Sequence, residues 1–538
     1  MARKRLDTLG LMIDMSRNAV MRPDAVKQYM GYMKKMGYNT LFLYMEDTYE
    51  VDGEPYFGYM RGRYTKEEMK ALDAYGASLG IEVIPCIQTL AHLSEYLRWG
   101  KTPVDKDDVL LVGDERTYEL IDHMFATLSE CFRTRRIHIG MDEAHSLGRG
   151  EYLNRNGYEP THVILQKHLS RVLEIAKKYD YTPMIWTDMF FRPWNNNIYH
   201  IPRCKMPKEY VDALPDGVIP VYWNYYRTTF EDYDGMFYNH RQLSKDFWFA
   251  GGAWTWMGYM PHNDYTLKTM LPAFEAVKAH RVRNVMLTLW GDDGGECSRY
   301  AVLPSLFYLS EVAKGNTDEA KIKAKFRRMF GIEYDDFMLL DRLDHICGNG
   351  EGAHKHCNPS KYALVSDTFY GFLDYSIEPN AAHRFGPLSE ELARVAKKTR
   401  RFRALFSTAS KLASVLAIKY DLGLRVRAAY DAGDKAALSK LANEDYPEAI
   451  RRLNAFARTF EDAWTKENKP AGLEVLHLRH AAVRERLLYA KKTILSYVNG
   501  KIASIEELDE GILRPTHHGV STVQNQALSV LIIGKKEN

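Results

Sequence analysis

Thr40-Leu-Phe-Leu-Tyr-Met45 is apolar at nearly every position and ends on two acids, Glu46 and Asp47. A run that is apolar on consecutive rather than alternate residues reads as a strand covered on both faces. Downstream, Thr65-Lys-Glu-Glu68 has the form of a capping box. It opens a helix that carries Met69, Leu72, Tyr75 and Leu79 on one stripe and is closed by Gly80. Glu82-Val-Ile-Pro-Cys-Ile87 follows as a second buried strand. Upstream, Leu9–Ile13 precedes a helical stripe of Val26, Tyr29, Met30, Met33 and Met36 with Gly37 as its stop.

The same alternation continues through Arg136–Gly140, Pro183–Trp186, Ile219–Trp223, Phe247–Gly251 and Asn284–Leu289, with Thr161–Tyr179 as another long periodic segment. Eight strand–helix repeats in about 300 residues predict a (β/α)8 TIM barrel over residues 1–312. An open doubly wound sheet is the competing α/β reading, but no run is followed by a glycine-rich phosphate fingerprint. After about Ser310 the chain turns rich in Ala, Leu, Lys, Arg and Glu at helical spacing, which predicts a mainly α-helical C-terminal domain over residues 313–538. Leu528–Ile533 reads equally as strand or helix end.

Composition excludes several classes of function. Of 538 residues 46% are hydrophobic and 27% charged, as in a globular protein rather than a disordered one. Net charge is only +3, without the basic excess of a nucleic-acid binder. No stretch approaches a membrane span, and the N-terminal apolar run is too short for a signal-peptide core. Six scattered cysteines argue against a disulfide scaffold, so the expected location is the reduced cytoplasm. The marked feature is aromatic content: eight of the nine tryptophans lie at or before Trp290.

In such a barrel the active site lies at the C-terminal ends of the strands. Those ends carry Asp14 and Arg17; Glu46 and Asp47; Gln88 and His92; Asp142 and Glu143; Trp186 and Asp188; Trp223 and Tyr225; Trp254 and Trp256; and Trp290, Asp292 and Glu296. Carboxylates, one Arg and one His facing five tryptophans suit a sugar, whose C–H faces stack on rings while its hydroxyls take polar partners. The adjacent pair in Arg136-Ile-His-Ile-Gly-Met-Asp-Glu-Ala144 is not the usual two-carboxylate arrangement, which flanks the scissile bond from different strands. Neighbouring acids on one loop suit substrate-assisted hydrolysis, in which the substrate's 2-acetamido oxygen is the nucleophile.

His138, Gly140, Asp142 and Glu143 resemble the H-x-G-x-D-E signature of glycoside hydrolase family 20, the β-N-acetylhexosaminidases. Asp14-Met-Ser-Arg17, Ile84-Pro85 running on to His92, Trp186-Thr-Asp188 and Trp290 agree in type and order. The resemblance spans roughly residues 8–310 and implies an exo-acting, retaining enzyme that removes terminal β-linked N-acetylglucosamine, N-acetylgalactosamine or both through an oxazolinium intermediate. It implies Glu143 as general acid/base and Asp142 as the residue that orients the acetamido group. His92 would bond the acid, with Asp47 behind it. Arg17 would hold hydroxyls, and Trp186, Trp254 and Trp290 would wall the acetamido pocket. Tyr225 would donate to the acetamido oxygen, and Asp292 would take O4 or O6.

Departures from the family pattern are Met141 where many members have Gly, Leu90-Ala91 for Pro-Gly, Tyr44-Met-Glu-Asp47 for His-x-x-Asp, and Asp292 for Glu. With the first strand near Leu9, the resemblance implies a divergent branch without the small N-terminal domain. Three other readings stand beside it: a retaining glycosidase with Asp292 or Glu296 as nucleophile, a catalytically silent sugar-binding barrel, and a non-carbohydrate barrel enzyme. The chemistry requires no metal or organic cofactor. Cys347 with His354, His356 and Cys357 matches no structural zinc spacing, and His517-His518 reads as surface loop. The expected partner is an amino-sugar glycoside, with no nucleic acid and no membrane, and a homodimer would form through the helical C-terminal region.

Overall fold

Eight parallel strands close on themselves in a computed structural model that describes residues 6–292, 294–345, 359–371, 374, 377–378 and 381–512. The barrel strands are β1 (Thr8–Asp14), β2 (Thr40–Tyr44), β3 (Glu82–Cys86), β6 (Arg136–His138), β7 (Thr182–Trp186), β8 (Ile219–Trp223), β9 (Trp248–Gly252) and β10 (Asn284–Leu289). β1 pairs with β10 in parallel register from Thr8–Asn284 to Ile13–Leu289, which seals the ring. Between β3 and β6 a short antiparallel hairpin intervenes, β4 (Val104–Lys106) with β5 (Val109–Leu110).

Burial on both faces explains the unbroken apolar runs. Met12, Phe42, Ile84, Met184, Val221, Trp248 and Met286 fill the inside of the barrel. Their neighbours Leu11, Leu43, Val83, Ile137, Ile185, Phe249 and Leu287 pack outward against the helices. The helix stops follow the sequence logic. Gly37 closes Pro23–Met36 in the left-handed conformation at φ 97°, and Thr65 with Glu68 forms the reciprocal capping box of Lys66–Ser78.

Helix Leu303–Ala313 completes the eighth repeat, and the region beyond it is helical, dominated by Arg403–Lys419, Tyr446–Glu467 and Leu473–Val498. It packs directly on the barrel: Glu467 accepts the backbone N–H of Arg299 at 2.7 Å and the Ser298 hydroxyl at 2.6 Å. Leu528–Ile533, the Cys347–Cys357 segment and His517-His518 lie outside the described residues. Among the described residues no helix is long and apolar enough to cross a membrane.

Candidate active site

The strand ends converge on a cavity of about 500 Å³ at the mouth of the barrel, a volume suited to a small-molecule site. At β1, the Asp14 carboxylate accepts the Ser16 N–H and hydroxyl at 2.8 and 2.7 Å and the Gly291 N–H at 2.9 Å. Asp14 therefore ties the first strand end to the last and leaves Arg17 to others. Arg17 pairs with Glu46, which also accepts the Tyr44 hydroxyl at 2.9 Å. Burial opposes the Arg17 charge, but the Glu46 and Asp14 carboxylates override it and raise its pKa well above the ordinary value.

Asp47 is not the acid behind His92. Its carboxylate is held by Arg61, which also reaches the Ser16 carbonyl, and no hydrogen bond or ion pair joins Asp47 to the imidazole. Burial raises Asp47 to about 6. The strand-two acid whose charge bears on His92 is Glu46, one residue earlier. Glu46 adopts φ 47°, and its carboxylate reaches Arg17 and the Tyr44 hydroxyl, which line the cavity, while Asp47 faces Arg61.

The loop after β6 is built around Gln88. Its amide oxygen accepts the Met141 N–H at 3.1 Å, and its amide nitrogen donates to Asp142 Oδ1 at 2.7 Å and to the Tyr44 hydroxyl at 3.0 Å. Gly140 is obligatory here: it has φ 70°, and an added Cβ would lie 2.0 Å from Gln88 Oε1. Met141 and Glu143 also sit in the left-handed region, at 69° and 52°, and His92 at 58°. Such strain on non-glycine residues persists only where the surroundings over-determine it, and here it clusters at the carboxylate pair.

His92 Nε2 lies 3.4 Å from Asp142 Oδ2 and 3.8 Å from Glu143 Oε2, so it stands nearer to Asp142 than to Glu143. Its backbone N–H is fixed by Asp108 at 2.9 Å. Burial lowers the affinity of His92 for a proton, but Asp142 more than compensates and lifts it to about 10. In turn, despite burial, the His92 charge and the Gln88 donor hold Asp142 below the usual carboxylate range. The Asp142 side chain is 13% exposed and that of Glu143 39%, so Asp142 is inside and Glu143 faces the opening.

Asp188 lies behind the pair. Its Oδ2 accepts the Glu143 N–H at 2.9 Å, and Arg192 spans Asp188 Oδ2 at 3.2 Å and Glu143 Oε1 at 3.4 Å. Burial, with the Asp142 and Glu143 charges, raises Asp188 to about 7. His138, whose ring is tilted against Trp186 at 4.3 Å, is pushed down to about 3 by burial and is neutral.

The aromatic wall consists of Trp186, Trp223 and Trp290 with Tyr225 and Tyr226. Trp254 is not part of it. Its indole N–H donates to the Tyr225 carbonyl at 3.0 Å and its ring stacks on Trp256 at 4.3 Å, so this pair backs Tyr225 instead of facing the cavity. Trp223, stacked 5.4 Å from Tyr225, takes the exposed place. Arg17, His92, Asp142, Glu143, Trp186, Tyr225, Trp290 and Asp292 all line the cavity. Glu296 does not: its carboxylate is buried between Arg479 and Lys361.

Sequence reasoning passed over the opposite wall. Asp107 and Asp108, from the tip of the β4–β5 hairpin, face the cavity with His145 and Ser146, and the Ser146 hydroxyl donates to Asp107 at 2.6 Å. Asp105 fastens the hairpin to the loop after Glu143 by accepting the N–H groups of Gly148 and Tyr152 at 2.6 and 2.8 Å. The available signal was the long β3-to-helix connection with an Asp pair between two short apolar runs. Arg192 had a weaker signal, its spacing four residues after Asp188.

The glycosyl hydrolase family 20 catalytic-domain model matches residues 9–203, and the glycoside hydrolase 20C C-terminal-domain model matches residues 335–525. Among curated proteins the chain is similar to hexosaminidase D of Homo sapiens, 24% identical over 211 residues that cover 36% of this chain and 40% of that protein. It is also similar to β-hexosaminidase subunit beta of Entamoeba histolytica, 24% identical over 239 residues covering 36% and 41%. The matched segments thus span less than half the length of these relatives. A solved exo β-N-acetylglucosaminidase from Vibrio harveyi is 14% identical with a TM-score of 0.47, covering 63% of this chain and 59% of that one.

Proposed function

Because the chain belongs to glycoside hydrolase family 20, we propose that it is an exo-acting, retaining β-N-acetylhexosaminidase that works by substrate assistance on terminal β-linked N-acetylglucosamine or N-acetylgalactosamine. The observation that carries the reading is the unequal pair: Asp142, buried and held ionised by His92 and Gln88, beside Glu143 at the opening.

A hexosamine enters with its ring against Trp290 and its acetamido group toward Trp186, Tyr225 and Asp142. Asp142 accepts the acetamido N–H, which aims the carbonyl oxygen at C1. That oxygen forms a bond to C1 as the C1–aglycone bond breaks, and Glu143 gives its proton to the departing oxygen. The positive charge on the resulting oxazolinium ring faces the Asp142 carboxylate. Glu143, now ionised, takes a proton from water as the water oxygen bonds to C1, which reopens the ring. Two inversions at C1 give retention. Arg17 and Asp292 hold hydroxyls on the side away from the acetamido group.

The protein-nucleophile alternative loses Glu296, whose buried ion pairs keep it out of the cavity. The test is a pair of aryl β-glycosides with and without the 2-acetamido group. A rate advantage of several orders of magnitude for the acetamido substrate supports the reading, and equal rates sink it. Reducing surroundings suit the thiols, since Cys86, Cys131, Cys204 and Cys297 are unpaired and the first, second and last of these are buried; a cytoplasmic location is part of the same proposal.

A further inference from the structure

The loop leaving β10 carries Trp290 and Asp292 into the cavity and then dives to Glu296, whose side chain is fully enclosed. Both groups that neutralise Glu296 come from the C-terminal region. Arg479 Nη1, on helix Leu473–Val498, lies 2.8 Å from Oε1, and Lys361 Nζ, on helix Pro359–Val365, lies 2.6 Å from Oε2. Arg479 is only 11% exposed and Lys361 1%, so the trio is a buried charge cluster and not a surface ion pair. Glu296 is the one anion between these two cations, so removing it would leave two buried positive charges facing each other, whereas removing Arg479 leaves Glu296 held by Lys361 alone.

The loop is also pressed flat. Gly294 and Gly295 adopt φ 104° and 66°. A Cβ on Gly294 would meet Arg479 Nη1 at 2.9 Å and Asn18 Nδ2 at 3.0 Å, and one on Gly295 would meet the Arg17 carbonyl at 2.6 Å. The guanidinium therefore packs on the backbone two residues past Asp292 and simultaneously pairs with Glu296. The same helix grips two other strand-end loops. Gly472 at its N-terminus leaves no room for a Cβ, which would lie 2.2 Å from the Asn18 carbonyl. His480 Nε2, next to Arg479, sits 3.1 Å from the Tyr259 hydroxyl of the loop after β9.

We propose that Arg479, with Lys361, is a positioning residue of the sugar site: it clamps Glu296 and so fixes the Trp290–Asp292 loop against Arg17. This assigns the C-terminal region a part in substrate recognition although none of its described residues lines the cavity. The proposal rests on the functional reading above for its kinetic consequence, but its structural half stands alone.

The experiment therefore has two readouts, on purified full-length wild type, Arg479→Met, Arg479→Lys, and the triple variant Glu296→Gln/Lys361→Met/Arg479→Met, which carries no charge at the cluster. The first is hydrogen exchange of backbone amides in residues 290–297, which reports local opening directly. It should speed up by about tenfold or more in Arg479→Met and in the triple variant, and stay near wild type in Arg479→Lys. The second is kinetics on paired aryl N-acetylglucosaminide and N-acetylgalactosaminide. KM should rise by about 10- to 100-fold in Arg479→Met with a smaller change in kcat, since misplacement weakens sugar binding more than proton transfer from Glu143. The preference between the two O4 epimers should shrink, and Arg479→Lys should restore most of both.

Unchanged exchange in 290–297 for folded Arg479→Met and triple variants overturns the clamp. Faster exchange with wild-type KM and epimer preference overturns its role in recognition. A wild-type enzyme inactive on both glycosides, with exchange still faster in the variants, refutes the functional reading and leaves the clamp standing.

Discussion

The His92 imidazole stands 3.4 Å from the Asp142 carboxylate, and both side chains are largely withdrawn from water. Asp142 lifts His92 to about 10, well above the ordinary 6.5, against the pull of burial. The sign of the linkage follows. A raised histidine contributes stability that is complete below about 6.5 and is lost as pH rises through about 10. The thermal-stability gap between wild type and His92→Gln should therefore be widest near pH 6 and narrow toward pH 10, measured as Tm at matched ionic strength. A gap that widens with pH would show a neutral His92.

Asp142 and Glu143 separate by leaving group. Glu143→Gln removes the proton donor, so turnover of a poor leaving group should fall by about 10²–10⁴-fold, with a much smaller loss for an activated aryl glycoside. Asp142→Asn cannot balance the oxazolinium charge, so it should lose about 10²–10³-fold on both substrates. Steady-state kcat on a nitrophenyl glycoside and on an unactivated disaccharide measures the difference. Normal turnover by Asp142→Asn would remove substrate assistance from consideration.

Gly140→Ala tests the loop geometry. The left-handed φ of 70° costs an alanine about 1–2 kcal/mol. The new Cβ also drives Gln88 away, since it would stand 2.0 Å from Oε1 and 2.4 Å from Cδ. Asp142 then loses its 2.7 Å donor. The expected outcome is a lower Tm together with a loss of kcat, whereas a stability effect alone would mean that Gln88 does not orient Asp142.

The barrel was legible because each strand is buried on two faces, and the runs Ile219–Trp223 and Asn284–Leu289 coincide with β8 and β10 residue for residue. The carboxylate pair was legible because H-x-G-x-D-E is dense in a short window. Side-chain direction at strand ends was not. Met141 stands where many family members have Gly, and it takes the φ of 69° that a glycine there would adopt freely. Glu46 and Asp47 are equivalent in sequence, and the positive φ of Glu46 separates them. Trp223 and Trp254 look alike as rim aromatics until a backbone carbonyl, that of Tyr225, captures the Trp254 indole. The hairpin wall escaped because β4 and β5 are three and two residues long, too short for any period to show.

Asp188 carries a pH-dependent charge beside Glu143. Burial, reinforced by Asp142 and Glu143, raises it to about 7 from 3.8. In the folded protein it keeps a proton that the unfolded chain has released. Its contribution therefore favours the fold at low pH and is lost as pH rises from about 3.8 through about 7. Asp188→Asn preserves an oxygen acceptor for the Glu143 N–H and should flatten the decline of Tm over that window. Activity should register the same titration. As pH rises through about 7 the Asp188 carboxylate that accepts the Glu143 N–H at 2.9 Å ionises. The pH profile of kcat/KM should therefore show an inflection near pH 7 in wild type that Asp188→Asn lacks. Matching profiles for the two proteins would show that the Asp188 charge does not reach the reaction.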